Sequence, residues 1–139
     1  VVSMNGSFGY FNEAENRRHL AEAVRPLAPG GRLVLDQQNP DYLLSALPRN
    51  RRVHDPHTDA EVIEEFEVDK AARLVYARKE VRTETDSAEY FFRVRAYTLA
   101  ELKGFLSELG MPTMNAVGDY DLSAYGPLSS RLILVAQKE

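Results

Sequence analysis

Residues 27–36 read Leu27-Ala28-Pro29-Gly30-Gly31-Arg32-Leu33-Val34-Leu35-Asp36, and this stretch decides the fold. Pro29 has no backbone donor and glycine accepts a left-handed stop, so a preceding helix must end here. The run from Arg32 to Asp36 is short and continuously apolar, the pattern of a strand covered on both faces. Upstream, Leu20, Val24 and Leu27 recur at helical spacing, with Arg17, Arg18, Glu22 and Arg25 on the other face. Asn12 precedes Glu15 at the spacing of a capping box, in which side chains satisfy the free N–H groups of a helix start. Before the helix, Val1 to Met4 reads as the end of a buried strand, followed by the turn Asn5-Gly6-Ser7 and the aromatic patch Phe8-Gly9-Tyr10-Phe11. Strand, turn, helix, glycine stop and apolar strand make a βαβ unit, which assigns the chain to the α/β class.

Downstream, Asn39-Pro40 caps a short helix carrying Leu43, Leu44 and Leu47, because proline suits the first helical position. The polar stretch from Pro48 to Asp59 reads as an exposed loop. Apolar residues then alternate, with Val62, Phe66 and Val68 on one face of the run Glu61–Val68. Arg73–Arg82 and Ala88–Tyr97 continue the alternation, which predicts an antiparallel meander of three strands with one wet face. Thr98 and Glu101 form a second capping box, and Leu102, Phe105, Leu106 and Leu109 give a helical stripe that Gly110 and Pro112 stop. Thr113–Val117 and Arg131–Ala136 are the final strands.

The chain has 139 residues, enough for one domain and too few for two. It contains no cysteine, which removes disulfides, thiol nucleophiles and cysteine-ligated metal sites and fits a reducing, cytoplasmic location. No apolar run is long enough to span a bilayer, and the start does not read as a secretory leader. A net charge of −4 has the wrong sign for generic phosphate-backbone binding, so nucleic acid and membrane are not the expected partners. A small molecule is.

In open α/β sheets ligands sit beyond the carboxyl ends of the strands. Two such ends are visible, Met4-Asn5-Gly6-Ser7 and Asp36-Gln37-Gln38-Asn39. Gly6 and Gly9 serve either plain turn chemistry or the close approach of a ligand to backbone. Asp36 caps the next turn or faces a ligand. Both readings stand for each.

The stretch from Ser3 to Phe11, the helix after it and Leu27-Ala28-Pro29-Gly30-Gly31 resemble the class I S-adenosylmethionine-dependent methyltransferases. So do Arg95-x-Tyr97-Thr98-x-x-Glu101-Leu102, Gly118-Asp119-Tyr120-Asp121 and Ser130-Arg131 opening the last strand, so that the likeness spans nearly the whole chain. It implies a partial Rossmann-like methyltransferase sheet with the three-stranded meander, residues 60–97, as an insertion over the active site. The glycine-rich cofactor loop of that family and the acidic residue that grips the ribose are not in this sequence. The chain therefore reads as the C-terminal half of a methyltransferase, beginning inside its fourth strand.

The resemblance implies S-adenosylmethionine as cofactor, bordered by Ser3, Met4, Asn5 and Gly6. Phe8, Tyr10 and Phe11 would line the path to the methyl acceptor, with the Tyr10 hydroxyl orienting it. Asp36, Gln37 and Asn39 would touch the acceptor, with Arg95 and Tyr97 reaching in from the insertion. The implied reaction is methyl transfer to N or O of a small molecule. The sulfonium donor is already activated, so the protein mainly aligns the reactants and excludes water.

A competing reading is a non-catalytic ligand-binding or dimerisation domain on the same architecture, with Tyr90, Phe92 and Val94 as the surface of a homodimer. His54-Asp55-Pro56-His57 supplies too few ligands for a structural metal site and reads as a solvated loop. His19 reads as a surface residue. Glu64 interrupts the Val62–Phe66–Val68 face and is either a counter-charge for a cationic substrate or an ion-pair partner. Arg93 and Arg95 recognise an anion or pair across strands. Arg49–Arg52 reads as a solvated basic run.

Overall fold

A computed structural model describes residues 1–47 and 50–139. Its elements are β1 (Val2–Ser3), α1 (Glu13–Val24), β2 (Arg32–Gln38), α2 (Pro40–Ala46), β3 (Arg51–Asp55), β4 (Ala60–Asp69), β5 (Leu74–Arg82), β6 (Ser87–Arg95), α3 (Leu99–Glu108), β7 (Thr113–Val117) and β8 (Arg131–Gln137). Two four-stranded sheets result, ordered β1-β2-β8-β7 and β3-β4-β5-β6. In the first, β1 runs parallel to β2, and β8 is antiparallel to both β2 and β7. The second is antiparallel throughout.

Both predicted capping boxes form. Asn12 and Glu15 close the start of α1, and Thr98 and Glu101 close the start of α3. The periodic faces they orient make the main core, in which Leu20 and Val24 of α1 and Leu102, Phe105 and Leu106 of α3 pack with Leu33, Leu35, Leu132 and Leu134 of the sheet. The Thr98 box also receives Arg95, whose Nη2 donates to Glu101 at 2.7 Å, so it joins the second sheet to α3. Replacing Thr98 with alanine is expected to destabilise the protein by about 1 kcal/mol, the usual effect of losing an N-cap. A melting temperature unchanged from the parent would show that the box contributes nothing.

The three strands of the predicted meander form, but the second sheet has a fourth. Residues Arg51–Asp55, read as loop, pair with Ala60–Glu64 as β3. The loop reading followed from polarity, and the polarity has a different origin here. β3 is an edge strand whose side chains face water, and its arginines pair across the ladder, Arg51 to Glu64 at 3.0 Å and Arg52 to Glu61 at 3.4 Å. Arg51 and Arg52 are thus ladder residues, not a free basic run. Pro48 and Arg49, the start of the predicted loop and of that run, lie outside the described residues. Asp55 caps the connecting turn by accepting from the His57 N–H and the Thr58 hydroxyl, and His54 lies 3.3 Å from Asp59.

A smaller core of Leu44, Leu47, Val75 and Ala96 holds the second sheet against α2. Two hydrogen bonds stitch the sheets together elsewhere. The Arg95 N–H donates to the Gly9 carbonyl at 2.8 Å, and Gln37 Nε2 donates to the Tyr97 carbonyl at 3.0 Å.

Candidate active site

The carboxyl ends of β1 and β2 and the start of β8 lie at one edge of the first sheet, because β8 runs antiparallel. The second sheet faces that edge, and a cavity of about 280 Å³ lies between them. Its floor is the turn Asn5-Gly6 with Gln37, Gln38 and Arg131. One wall is Leu43 and Leu47, on and just after α2, and the other is Phe66, Val75, Phe92 and Val94 from one face of the second sheet. Phe8 and Tyr10 close it, the Tyr10 ring resting 5.9 Å from that of Phe92.

The turn at the floor is shaped by an unusual backbone. Asn5 and Gly6 both have positive φ, 58° and 69°, and their N–H groups are spent on the Asp36 carboxylate and the Asp36 carbonyl, each at 3.0 Å. A side-chain carbon built on Gly6 would meet no atom within 4 Å, so the turn presents open backbone to the space before it. Ser3 and Ser7 bond to each other through their hydroxyls at 3.1 Å, and Met4 is exposed.

Asp36 anchors this edge. It is fully buried and accepts Arg131 Nε and Nη2 at 2.7 and 2.8 Å, together with the Tyr120 hydroxyl at 2.8 Å. Burial pushes the Asp36 carboxyl up, but the Arg131 guanidinium, the Asn5 N–H and the Tyr120 hydroxyl outweigh it and hold it below the usual carboxylate range. Donation to Asp36 in turn raises Tyr120 above the ordinary phenol value. A carboxylate so engaged, and absent from the cavity lining, is a strut for the β1, β2 and β8 ends.

Of the residues singled out in the sequence, the structure brings Asn5, Gly6, Phe8, Tyr10, Gln37 and Arg95 to the cavity. Phe8 is shared with the core, its ring 5.3 Å from Tyr97 and 5.7 Å from a half-buried His19. Asn39 does not line the cavity: its Nδ2 donates to the carbonyls of Gly126, Pro127 and Ser129, tying the β7–β8 connection to the start of α2. Tyr97 is core, packed edge-on against Phe105 with its hydroxyl accepting from Asn16 at 3.1 Å. Its burial raises its pKa despite that hydrogen bond. Phe11 lines a separate shallow depression with Arg93. Glu64 takes the ion-pair reading, to Arg51 at 3.0 Å and Lys79 at 3.7 Å.

Two residues that sequence reasoning placed only within motifs, Arg131 and Tyr120, complete the edge. A signal existed for one of them: a carboxylate ending a buried strand needs a cationic donor, and Arg131 opens the strand that pairs with β2. Its partnership becomes visible only with the β2–β8 register, where Gln38 lies opposite Arg131.

The cavity lining among the described residues includes no carboxylate, and its two arginines are neutralised, Arg95 by Glu101 and Arg131 by Asp36. It is an apolar slot with a polar floor, closed on one side by two aromatic rings.

No protein-family model matches the sequence, and no curated protein does. Solved structures do. The chain superposes with a TM-score of 0.77 and 21% identity on the CcbJ methyltransferase from Streptomyces caelestis, covering 99% of this chain and 60% of that one. A S-adenosylmethionine-dependent methyltransferase from Clostridium acetobutylicum gives a TM-score of 0.80 at 15% identity, over 99% of this chain and 56% of its own. The sugar N-methyltransferase KedS8 from Streptoalloteichus gives 0.63 at 15%, again over 99% and 56%. The chain therefore spans 56–60% of the length of these structures. At these identities the likeness establishes the fold alone, an α/β arrangement shared with 56–60% of each of these methyltransferase structures.

Proposed function

We propose that the chain supplies the acceptor side of a S-adenosylmethionine-dependent methyltransferase that methylates N or O of a small, neutral, largely apolar molecule. The observation that carries this reading is the cavity at the carboxyl edge of the β1–β2 sheet, roofed by the second sheet, in a chain with this fold. Residues 60–97 act in this reading as an insertion that covers the site.

The turn leaves room for one side of a bound cofactor. Gly6 is open before its α-carbon, Met4 is exposed, and the Asn5 carboxamide is held only by a 3.5 Å contact from Tyr120. Ser3, Met4, Asn5 and Gly6 fit one side of a bound cofactor, and no glycine-rich loop in this sequence provides the other. When bound, the cofactor supplies a sulfonium methyl group already activated for transfer. The chain's own residues do the rest. Tyr10 holds the acceptor heteroatom through its hydroxyl, Gln37 and Gln38 complete the polar floor, and Phe66, Phe92 and Val94 exclude water from the reacting atoms.

The acceptor class follows from size and charge. About 280 Å³ lies just under the usual range for ligand pockets, which suits a molecule of one or two rings. With both arginines neutralised and no carboxylate in the lining, a free ammonium or carboxylate on the acceptor would be desolvated without a partner.

Incubation of the full-length protein with methyl-labelled S-adenosylmethionine and a panel of neutral amines and phenols is expected to move label to an acceptor. Retention of label by the donor for every acceptor, without binding of S-adenosylhomocysteine, would overturn the proposal. Tyr10→Phe is expected to lower kcat about 10-fold with little change in KM, the split that marks an orienting hydroxyl.

A further inference from the structure

Gln37 is buried in the cavity lining, yet only half of its carboxamide is used. Nε2 donates to the Tyr97 carbonyl at 3.0 Å, and Oε1 accepts no hydrogen bond among the described residues. Nor is Oε1 sealed in. Among the described residues Thr113 Oγ1 is the sole enclosed side-chain oxygen or nitrogen without a partner. Oε1 therefore keeps open surface, and the open space beside Gln37 is the cavity.

The carboxamide is held in one sense. Turning it over would set Oε1 against the Tyr97 carbonyl oxygen, acceptor against acceptor. That carbonyl is fixed in turn, because Tyr97 is core, its ring 5.3 Å from Phe8 and 5.5 Å from Phe105. Asn16, itself fully buried, donates to the Tyr97 hydroxyl and grips Phe11 by both its N–H and its carbonyl. One buried network thus fixes Gln37 through Tyr97 and the loop bearing Tyr10 through Phe11. Gln38 has no such anchor: it is exposed, and no side-chain hydrogen bond holds it among the described residues.

We propose that Gln37 selects the methyl acceptor, its fixed Oε1 taking a hydrogen bond from an N–H or O–H on the heteroatom to be methylated. This rests on the methyl-transfer reading of the cavity and adds which acceptors fit it. A heteroatom that brings a hydrogen satisfies Oε1. One that brings none strips that oxygen of solvent and leaves it unpaired, which discriminates far more strongly than a misfit between apolar surfaces. A carboxamide oxygen takes up no proton, so Gln37 orients the heteroatom and leaves its lone pair free. A secondary amine therefore fits, and its methylated product, with no hydrogen left to give, is the weaker ligand.

The test uses two ligands of nearly one shape, N-methylaniline and ethylbenzene, with binding to the full-length protein followed by NMR. Transfer from water alone favours ethylbenzene, the more apolar of the two. The parent is nevertheless expected to bind N-methylaniline about 10-fold more tightly. Gln37→Leu and Gln37→Met are each expected to abolish that preference, with thermal melts showing which of them fold. Equal binding of the two ligands by the parent, binding of neither, or a folded variant that keeps the preference each overturns the proposal. Methyl-labelled S-adenosylmethionine added with N-methylaniline separates this inference from the reading beneath it. A binding preference without transfer of label supports the role of Gln37 and sinks methyl transfer, whereas transfer without a preference sinks the role of Gln37 alone.

Discussion

Replacing Arg131 with methionine is expected to cost the fold about 3 kcal/mol and to reverse the way acid acts on it. The size follows from removing one partner of a buried ion pair, which strands an uncompensated charge. The Asp36 side chain has no exposed surface, and Arg131 supplies two of its hydrogen bonds. The Tyr120 hydroxyl and Asn5 N–H remain but do not neutralise it. In the parent protein the folded-state pKa of Asp36 lies below its unfolded value of about 3.9, so its contribution is present above that value and lost as pH falls through the folded one. Without Arg131, burial dominates and the folded pKa rises above the unfolded value. The variant's Asp36 then destabilises the fold at neutral pH, and this penalty is relieved on acidification. Denaturant titrations at pH 7 and pH 4 read both effects. Parallel pH profiles for parent and variant would mean that Asp36 does not depend on Arg131.

Gly9→Val is the second large effect, and it acts on the seam between the sheets. Gly9 has φ of 102°, a conformation that L side chains rarely adopt, and a side-chain carbon there would lie 2.6 Å from the Arg95 carbonyl oxygen. That carbonyl belongs to the residue whose N–H donates to Gly9, so relieving the clash breaks the bond. A loss of about 3 kcal/mol is expected, together with separation of Tyr10 from Phe92 and loss of acceptor binding. Gly6→Asn provides the contrast. Its φ of 69° is one that asparagine tolerates, and no atom lies near an added carbon, so a change of within about 1 kcal/mol is expected. Thermal melts of the two variants, with binding of a neutral aromatic amine followed by NMR, check both. Equal melting temperatures would show that the Gly9 approach does not constrain the sheets.

The elements most legible in the sequence were those specified locally. Asn12 with Glu15 and Thr98 with Glu101 announce helix starts through contacts three residues apart, and both boxes form. The apolar runs of β2 and β8 are similarly self-declaring. β3 was not legible, because an exposed edge strand held by cross-strand ion pairs has the composition of a loop. The site was half legible for a related reason. Polar residues after a buried strand signal that something must satisfy them, not whether the partner is a ligand or the protein. Gln37 reaches the cavity, whereas Asn39 is consumed by the Gly126, Pro127 and Ser129 carbonyls. Those partners lie 87 to 90 residues away, beyond any local pattern.

The two cores differ in size, and this divides the molecule by stiffness. The first sheet shares a buried cluster with α1 and α3, while the second rests on Leu44, Leu47, Val75 and Ala96 with partial cover from Leu43, Phe66 and Val68. Sub-global opening follows the smaller hydrophobic reservoir, so amide hydrogens of β3 and β6 should exchange with solvent long before those of β2 and β8. The cavity lies on the boundary between these two cooperative units. A guest can therefore enter by a fluctuation of the looser unit alone, while the floor that fixes its orientation stays in place.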